Sequence, residues 1–556
     1  MVPNNISSER AVITSALPYA NGDIHLGHIA STYLPADIFT RFLRLNGLNA
    51  YHISATDDFG TPILIRAEKE KKSPKDYVEY WNRQDKEDFN SLGISFDFFY
   101  NTSSKENVEF VQYVFKQLRE NGHIYDQKVI QFYCTYDNKF LPDRYVIGRC
   151  PYCNAENQYS DLCEKCGRVP EQILDPKCAI CGRPPVKRES KHYFFRLSSF
   201  EGKLKEWLLS NTHLQSDVKN YVISWINEGL QDWDITRDLS WGVPIPLPEA
   251  KDKVFYGWFD NHLCYISSLL KFVKDRGGDG KKFWNESEIY HFIGKDIIYH
   301  HYLFLPAIRL GINSEYKLPE YIPTRGHLML QNQKISKSRN WYIGLKDFTS
   351  AFNPDYLRFY IASVVTYSQD DLNFDFDAFY ERINNELIAN IGNFINRALS
   401  FTQKSFKGKV PTPSSIDHTI EKELATTVYE TGSLLSSNEV DKSLKRILKY
   451  SNYMNHYFQT NSPWANKDTS NTTVYISVNA VRSLAILLEP FIPFSCEKIW
   501  SQLKLGSGNV HQQVWGSAKD IRAIPAGHEL GKVEPIFRKI EAKEIEQWKN
   551  KLGKPQ

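Results

Sequence analysis

The sequence lacks the features that would place a protein in a membrane or direct it out of the cell. None of its apolar runs approaches the roughly 18–20 residues that a membrane-spanning helix needs. Residues 1–5, Met1-Val2-Pro3-Asn4-Asn5, have neither the basic nor the apolar region of a signal peptide. No internal repeat or low-complexity segment stands out. These absences predict a soluble protein of the cytoplasm.

The sequence also has little net charge. Its 68 Lys and Arg residues nearly balance its 65 Asp and Glu residues, which leaves +3 at pH 7. So small a charge creates no global basic field, and any nucleic-acid site must be a local patch. The 556 residues, 42% of them apolar, suffice for about three or four structural units with cores of their own.

Cysteine is scarce, but its spacing is informative. Six of the nine cysteines form Cys-x-x-Cys pairs, a pattern typical of metal ligands in a reducing compartment and not of a disulfide framework. Cys150 and Cys153, followed by Cys163 and Cys166, have the spacing of a four-thiolate zinc knuckle. The alternative is four buried free thiols. We expect structural zinc, because a short segment with little core needs the metal to stay folded.

Two short segments predict a site for a triphosphate. His25-Leu26-Gly27-His28 follows an apolar stretch and a turn, which predicts a helix N-terminus whose unpaired N–H groups favour anions. Its histidines share one face, and Gly27 lets a ligand approach the backbone closely. Lys334-Ile335-Ser336-Lys337-Ser338 places two ammonium groups on a loop that can close over a phosphoryl group. Taken singly, the first segment also fits a metal site or a surface pair, and the second a solvated loop.

Alternating strand-like and helical patterns predict an α/β fold with a doubly wound parallel sheet. Strand-like residues 11–14 and 51–54 alternate with helical patterns at 31–45 and 77–92. The sheet is expected to resume at residues 254–258 and 290–293. Ligands of such sheets bind beyond the carboxyl ends of the strands, and the candidate residues there are Asp57, Asp58, Asp260 and Asp296.

The same patterns divide the chain into five segments. The cysteine cluster and a proline-rich exit mark an insertion into the nucleotide-binding domain, and the last third of the chain is almost purely helical. The predicted segments are the first half of a Rossmann-like nucleotide-binding domain (1–119), a connective insertion with the zinc knuckle (120–250), the second half of the nucleotide-binding domain (251–324), a linking unit with the lysine-serine loop (325–385) and an α-helical domain (386–556).

In this order and about three hundred residues apart, the two triphosphate motifs resemble the signature sequences of class I aminoacyl-tRNA synthetases. The start Ser15-Ala16-Leu17-Pro18-Tyr19, the knuckle spacing and the helical end make nearly the whole chain similar to methionyl-tRNA synthetases of the archaeal type. The resemblance implies activation of methionine by ATP, with Mg²⁺ accompanying the nucleotide, release of pyrophosphate, and transfer of methionine to the 3′ end of tRNA(Met).

The resemblance also implies roles for individual residues. His25, Gly27, His28, Lys334 and Lys337 would bind ATP, and all of these except Gly27 would act in catalysis. The implied methionine-binding residues are Ala16, Leu17, Tyr19, Asp57, Trp258, His262, Tyr265, Asp296, Ile297 and His301. The resemblance further makes residues 1–119 and 251–324 the catalytic domain and residues 386–556 an anticodon-binding domain, with Asn393, Arg397 and Trp464 as its implied anticodon-binding residues.

Three features of the sequence depart from the pattern of that family. Asp260-Asn261-His262-Leu263-Cys264-Tyr265 stands where the family typically has Asp-Ala-Pro-Ile-Gly-Tyr, and Phe59 replaces a usual histidine. Both departures lie beside the expected pocket, so fold and reaction are indicated more firmly than the amino acid. A second zinc site would combine Cys134, Asp137, Cys178 and Cys181, with Asp137 in place of an expected cysteine.

Two alternatives to a methionine enzyme remain open at this point. One is a class I synthetase for another aliphatic or thiol amino acid, against which the knuckle spacing and the start Ala16-Leu17-Pro18-Tyr19 argue. The short insertion of about 130 residues argues further against the enzymes for the larger aliphatic amino acids. The other is a non-catalytic tRNA-binding paralogue, against which the intact histidines and lysines argue. Because the sequence ends soon after residues 540–552, without an appended dimerisation domain, we expect a monomer.

Overall fold

The computed structural model describes residues 9–160, 163, 165, 166, 168, 170, 172–506 and 508–554. Residues 1–8 lie outside the described residues, and with them the segment 1–5 that was expected not to be a signal peptide. The side chain of Ser338 in the lysine-serine loop is not described either. Within the described part of the chain, no helix is long and apolar enough to cross a membrane.

A parallel sheet of five strands forms the centre of the N-terminal half. Glu288–Gly294, one of its middle strands, is buried along its whole length, as expected of a strand covered on both faces. In spatial order the strands are Phe98–Asn101, Asn49–Thr56, Arg10–Ser15, Glu288–Gly294 and Thr324–Arg325. The order 3-2-1-4-5 confirms the predicted doubly wound fold. Its ligand crevice lies between Arg10–Ser15 and Glu288–Gly294, where the winding reverses.

Helices cover both faces of this sheet. Ser73 and Ser104 cap two of them by accepting hydrogen bonds from the backbone N–H groups of Asp76 and Asn107, which explains where those helices begin. The helical segments are Leu26–His28, Ile29–Tyr33 (a π-helical turn), Leu34–Leu45, Thr61–Lys69, Pro74–Ser91, Lys105–Glu120, Gly257–Asp260, Cys264–Lys274, Gly280–Glu286, Lys295–Ile297, His300–Phe304 (a second π-helical turn) and Leu305–Gly311.

The strand prediction at residues 254–258 is wrong. Val254–Phe255 is a short strand outside the parallel sheet, and it pairs antiparallel with Thr236–Arg237. The helix Gly257–Asp260 follows at once. A short apolar run has the same pattern in a buried strand and in a buried helix, so its periodicity could not separate the two. Asp260 therefore lies at the end of a helix and not beyond a sheet strand.

The insertion consists of two antiparallel sheets and two main helices. In spatial order the larger sheet comprises Trp233–Asp234, Val186–Phe195, Ile124–Cys134 and Lys139–Phe140, and the smaller sheet comprises Gln158–Tyr159, Val146–Arg149 and Leu174–Cys178. The helices are Asp143–Tyr145, Leu197–Phe200, Glu201–Ser210, Ser216–Glu228 and Pro248–Ala250. The first cysteine cluster lies beside the small sheet, and the second joins Cys134, at the end of a strand of the larger sheet, to Cys178 of the small sheet. Among the described residues, the core beneath them has seven buried members, including Tyr145 and Ile173.

The linking unit follows the last strand of the parallel sheet. Its strands are Leu328–Leu330, Gln333–Lys334 and Leu372–Phe374, and its helices are Lys337–Arg339, Leu345–Ala351 and Pro354–Val364. Arg358 of this unit is fully buried, where it donates to Asp37 at 2.7 Å and to the carbonyl of Phe491 at 3.0 Å. Although burial opposes it, the charge of Arg41 and Arg358 lowers the pKa of Asp37 to about 2. These contacts tie the linking unit to both neighbouring domains.

The C-terminal part confirms the predicted helical region. Its helices pack in one hydrophobic core that continues into the linking unit and one face of the parallel sheet. They are Phe376–Glu381, Arg382–Gly392 (with π-helical geometry), Asn393–Ser405, His418–Ser436, Val440–Asn461, Lys467–Leu488, Pro493–Leu503, Val510–Gln512, Trp515–Lys519 and Ala542–Lys551.

Candidate active site

The motif His25-Leu26-Gly27-His28 begins the first long helix beyond the strand Arg10–Ser15, as predicted. His25 caps the helix, because its Nδ1 accepts a hydrogen bond of 3.2 Å from the N–H of Gly27. Nδ1 of His28 in turn accepts one of 3.2 Å from the N–H of His25. The two imidazole rings stack with their centroids 3.8 Å apart. The backbone contacts thus fix both rings in one orientation.

The charge of the two histidines follows from their surroundings. Burial lowers the pKa of His28 to about 3, with a further lowering by the ammonium group of Lys337. Burial likewise lowers the pKa of His25 well below its usual range, with His28 as the next cause. Both rings are therefore neutral at pH 7. Since each Nδ1 accepts a hydrogen bond, each hydrogen is on Nε2, where it is available to an anionic oxygen.

The lysine-serine loop lies against this helix start. Nζ of Lys337 donates to the carbonyl of Asp23 at 2.7 Å. The N–H of Leu345 donates to the carbonyl of Ile24 at 2.8 Å, which fastens the linking unit beside the motif. A methyl group in place of the hydrogen of Gly22 would lie only 3.0 Å from Nζ of Lys337. The fold thus brings together two motifs that are about three hundred residues apart in the sequence.

Lys334 occupies a different position. It is exposed on the short strand Gln333–Lys334, and its backbone carbonyl accepts a hydrogen bond from Arg339. Among the described contacts, none joins its side chain to the histidines. Only one of the two predicted lysines therefore lies at the start of the helix in this structure.

A cavity of about 290 Å³ opens between the histidine motif and the carboxyl ends of the two central strands. Its wall near the motif is polar, and its far wall is aromatic. It is lined by Ala16, Leu17, Pro18, Tyr19, Gly27, His28, Ser31, Thr32, Tyr33, Trp258, Asn261, His262, Tyr265, Gly294, Asp296, Ile297, His301 and His327. All the predicted methionine-binding residues except Asp57 line this cavity.

Asp57 lies immediately behind the cavity wall and is buried. Its carboxylate accepts hydrogen bonds from the side-chain amide of Asn261 at 3.1 Å and from the N–H of Phe59 at 3.2 Å. Burial raises the pKa of Asp57 to about 7. Asp260 is buried too, and neither of its carboxylate oxygens has a partner in the described structure. Burial first, and the charge of Asp57 second, raise the pKa of Asp260.

Asp58 and Asp296, the other two carboxylates that were expected near the site, differ in their position relative to the cavity. Asp58 does not line the cavity; its oxygens accept hydrogen bonds from the hydroxyls of Thr56, at 2.7 Å, and Ser103, at 2.5 Å, so it fixes the chain after the strand Phe98–Asn101. Asp296 stands at the rim with 61% of its side chain exposed, and its carboxylate lies 4.0 Å from Nε2 of His327.

Phe59, the second departure from the family pattern, is buried against Trp241, with ring centroids 5.2 Å apart. It lines a neighbouring recess of about 220 Å³ that shares Tyr19 and Trp258 with the main cavity. The two departures therefore lie on opposite sides of the same aromatic wall.

Several residues that the sequence argument missed also shape the site. The hydroxyl of Tyr33 donates to the carbonyl of Ala16, and Ser31 donates to the carbonyl of Gly326. Both lie on the π-helical turn Ile29–Tyr33, a rare geometry that occurs frequently at functional sites. Their signal in the sequence was the hydroxyl-bearing run one helical turn after His28. Asn261 was noticed only as a departure, and its bond to Asp57 needed the structure.

The two cysteine clusters have the geometry of metal sites. In the first, Sγ of Cys150 lies 3.8 Å from Sγ of Cys166, and Sγ of Cys153 lies 3.6 Å from Sγ of Cys163. A tetrahedral zinc ion with bonds of about 2.3 Å separates its sulfurs by about 3.8 Å, so this set fits the ion. The ligand atoms of the second set, Cys134, Asp137, Cys178 and Cys181, also lie within 4.8 Å of one another.

A third candidate site lies on the helical domain. Trp464 is 52% exposed, and the guanidinium carbon of Arg397 lies 5.8 Å from the centre of its ring. Arg397 also donates to the side-chain oxygen of Gln459 at 2.7 Å. Asn393, one helical turn before Arg397, is exposed. An exposed indole beside a guanidinium and an amide forms a surface on which an unpaired base can stack.

Comparison with known proteins agrees with this geometry. Residues 11–399 match the family model described as tRNA synthetases class I (M), and residues 409–556 match that of the anticodon binding domain of methionyl tRNA ligase. The methionine–tRNA ligase of Methanopyrus kandleri is 42% identical over 552 residues, which cover 97% of this chain and 81% of that protein. The methionine–tRNA ligase of Thermococcus kodakarensis is 42% identical over 561 residues, with 96% of this chain and 74% of that protein covered.

The fold has a solved counterpart as well. The methionyl-tRNA synthetase of Mycobacterium tuberculosis bound by methionyl-adenylate matches with a TM-score of 0.78 at 23% identity, covering 95% of this chain and 100% of that one. The doubly wound sheet and the paired motifs at its switch point define a class I aminoacyl-tRNA synthetase. Within that class, the chain belongs to the methionine–tRNA ligase family, which confirms the resemblance.

Proposed function

We propose that the protein activates methionine with ATP to form methionyl-adenylate and pyrophosphate, and then transfers methionine to the 3′ end of tRNA(Met). The observation that best supports this is the cavity of about 290 Å³ at the switch point of the sheet. Gly27 and His28 of the histidine motif border one end of it, and an aromatic wall borders the other. Attack of the methionine carboxylate on the α-phosphate needs no protein nucleophile, so positioned donors suffice.

His25, Gly27 and His28 would bind the ATP phosphates. The neutral histidines would donate from Nε2, and Gly27 would let the nucleotide approach the helix start. Lys337 would neutralise charge on the leaving pyrophosphate, with Mg²⁺ bound to the same phosphates. Lys334 is exposed in this structure, so its proposed contact with the phosphates requires the loop to close around ATP.

The carboxylate of Asp57 would hold the ammonium group of methionine. An ammonium ion beside a carboxylate favours the ionised form, so binding would lower the raised pKa of Asp57. Because the carboxylate of methionine must face the phosphates, its side chain would extend toward the aromatic wall. There Trp258, Tyr265 and Ile297 offer the apolar contacts that suit a polarisable thioether.

Zinc would hold the insertion folded. The set Cys150, Cys153, Cys163 and Cys166 would bind one ion, and Cys134, Asp137, Cys178 and Cys181 a second. Zinc favours the thiolate form of its ligands and cross-links chain segments that share only a small core. No step of the reaction needs either ion.

The anticodon of tRNA(Met) would bind on the helical domain. A splayed base would stack on Trp464, and Asn393 and Arg397 would bond the edges of bases. We also propose that the protein acts as a monomer in the cytoplasm. All nine cysteines are free in the structure, as expected in a reducing compartment.

An amino-acid-dependent ATP–pyrophosphate exchange assay over the twenty amino acids tests the proposed function. We expect methionine to drive exchange far more strongly than any other. Exchange driven best by leucine, isoleucine, valine or cysteine would contradict the substrate, and no exchange with any amino acid would indicate a non-catalytic tRNA-binding protein. Charging of tRNA(Met) by the same preparation tests the second step.

A further inference from the structure

The aromatic end of the cavity contains a buried imidazole nitrogen that lacks a hydrogen-bond partner. His262 lines the cavity and is 2% exposed. Its Nδ1 lies 3.0 Å from the carbonyl oxygen of Trp258. Its Nε2 is buried and has no partner among the described residues. A polar atom of this kind costs free energy unless something that enters the cavity pairs with it.

The hydrogen-bond role of Nε2 follows from its surroundings. A carbonyl oxygen can only accept, so Nδ1 of His262 carries the hydrogen. Burial lowers the pKa of His262 well below its usual range, and the neighbouring rings of His301 and His300 lower it further. The ring is therefore neutral, and Nε2 presents a bare lone pair. It can accept a hydrogen bond but cannot donate one.

Among the described residues, no neighbouring side chain donates a hydrogen bond to this lone pair. Nδ1 of His301 donates to the carbonyl of Ile297 at 3.0 Å, so its Nε2 accepts the hydroxyl hydrogen of Tyr265 at 3.1 Å. That interaction uses the hydroxyl hydrogen. The ring of His300 lies 5.4 Å from that of His262 between centroids, at an interplanar angle of 28°, and Nδ1 of His300 has no hydrogen-bond partner among the described residues, so it does not pair with Nε2 of His262.

We propose that Nε2 of His262 is a specificity determinant that accepts a hydrogen bond from the bound amino acid, so that the pocket favours side chains with a donor at the sulfur position. Homocysteine, a thiol, has such a donor. Methionine, a thioether, has none. This inference rests on the proposed function, because it takes the aromatic end of the cavity as the place of the side chain.

The physical consequence is a smaller preference for methionine over homocysteine than an apolar wall would give. Methionine gains the contacts of its methyl group but leaves Nε2 unpaired or paired with a trapped water molecule. Homocysteine loses the methyl contacts and pairs its S–H group with Nε2. A site that contains a buried polar group discriminates mainly against ligands that cannot form a hydrogen bond with that group.

The test compares kcat/KM in ATP–pyrophosphate exchange for methionine, homocysteine and norleucine. The variants are His262→Leu, which removes the acceptor, and His262→Gln, which keeps one. His300→Phe is the matched control, because His300 stacks on Trp258 at 3.9 Å but does not line the cavity. We expect His262→Leu to lower the homocysteine-to-methionine ratio roughly fivefold, which corresponds to about 1 kcal/mol. His262→Gln and His300→Phe should leave that ratio within roughly twofold of wild type.

An unchanged ratio in His262→Leu would overturn the proposal. An equal fall in His262→Leu and His262→Gln would overturn it as well, since it would show that the shape of the ring matters and not its lone pair. If His262→Leu does not fold, His262→Met provides the same comparison, because a thioether is only a weak acceptor. Wild-type exchange with methionine tests the proposed function separately, and its absence would refute that function whatever the ratios are.

Discussion

Replacing Lys337 by alanine should slow adenylate formation much more than it weakens methionine binding. Nζ of Lys337 lies 2.7 Å from the carbonyl of Asp23, beside the start of the histidine helix. Lys337 does not line the cavity that would hold methionine. The substitution therefore removes positive charge at the phosphates and leaves the amino-acid pocket intact.

The magnitude follows from the environment of the ammonium group. Burial lowers the pKa of Lys337 below its usual range, against the opposing charge of Asp23 and Asp85, so the group lies in a poorly solvated place. Two unit charges 4 Å apart interact by about 4 kcal/mol at an effective dielectric constant of 20. Preorganised donors of this kind contribute ~2–4 kcal/mol to a transition state. At 1.36 kcal/mol per tenfold, the expected loss is roughly 30- to 1000-fold.

Single-turnover adenylate formation measures this loss, and equilibrium binding of methionine measures the pocket. Lys75→Ala is the matched control, since Lys75 is 73% exposed and its nearest carboxylate, on Glu79, is 3.9 Å away. A rate for Lys337→Ala within roughly twofold of wild type would refute the assigned role. An equal loss of methionine affinity would show that Lys337 supports the pocket and not the leaving group.

Four further predictions concern Asp57, the metal and the tRNA. Because burial raises the pKa of Asp57 to about 7, its carboxylate should ionise, and the KM for methionine should fall, as pH rises from 6 to 8. Asp57→Asn should abolish this pH dependence of KM. The same pH dependence in Asp57→Asn would contradict the role of Asp57. The same raised pKa means that Asp57 weakens the fold progressively as pH rises from about 4 through 7, so its replacement by asparagine should stabilise the protein at pH 8 in thermal unfolding. Elemental analysis should find zinc in the purified protein. Cys150→Ser should lose one equivalent of zinc, and the control Cys496→Ala should lose none. A zinc content below about half an equivalent in wild-type protein prepared without chelator would contradict the metal site. Trp464→Ala should lower kcat/KM for tRNA charging by an amount that corresponds to roughly 1–3 kcal/mol, while ATP–pyrophosphate exchange stays near normal. Tyr429→Ala, which changes another exposed aromatic side chain, is the control. An equal loss in both assays would mean that Trp464 only stabilises the packing of the helices.

The predictions from sequence held where chemistry depends on short-range spacing. The Cys-x-x-Cys pairs, together with Cys134 and Asp137 at the same spacing, predicted two metal-ligand sets, and the structure brings the ligand atoms of each set within 4.8 Å of one another. The histidine motif predicted a helix start, and His25 caps one. The helical region after residue 376 was also predictable, because amphipathic periodicity is a local property of the chain.

The strand prediction at residues 254–258 failed because the outcome there depends on contacts between distant parts of the chain. Whether a short apolar run becomes strand or helix depends on the surface that covers it, and here Val254–Phe255 pairs with the insertion instead of the parallel sheet. Asp58 illustrates the same limit. Like its neighbour Asp57, it follows the strand Asn49–Thr56, so the sequence does not distinguish the two. In the structure, the hydroxyls of Thr56 and Ser103 donate to its carboxylate and hold it away from the cavity.

By itself, the sequence of this protein determined the phosphate motifs, the metal-ligand spacing, the doubly wound class and the family resemblance. These properties reside in residue types and in separations of a few positions. Only the tertiary structure decided that Lys337 and not Lys334 lies beside the histidines, that His25 and His28 are neutral, and that His262 presents a bare lone pair to the cavity. Each of these depends on desolvation and on contacts between residues far apart in the chain, which spacing along the sequence does not encode.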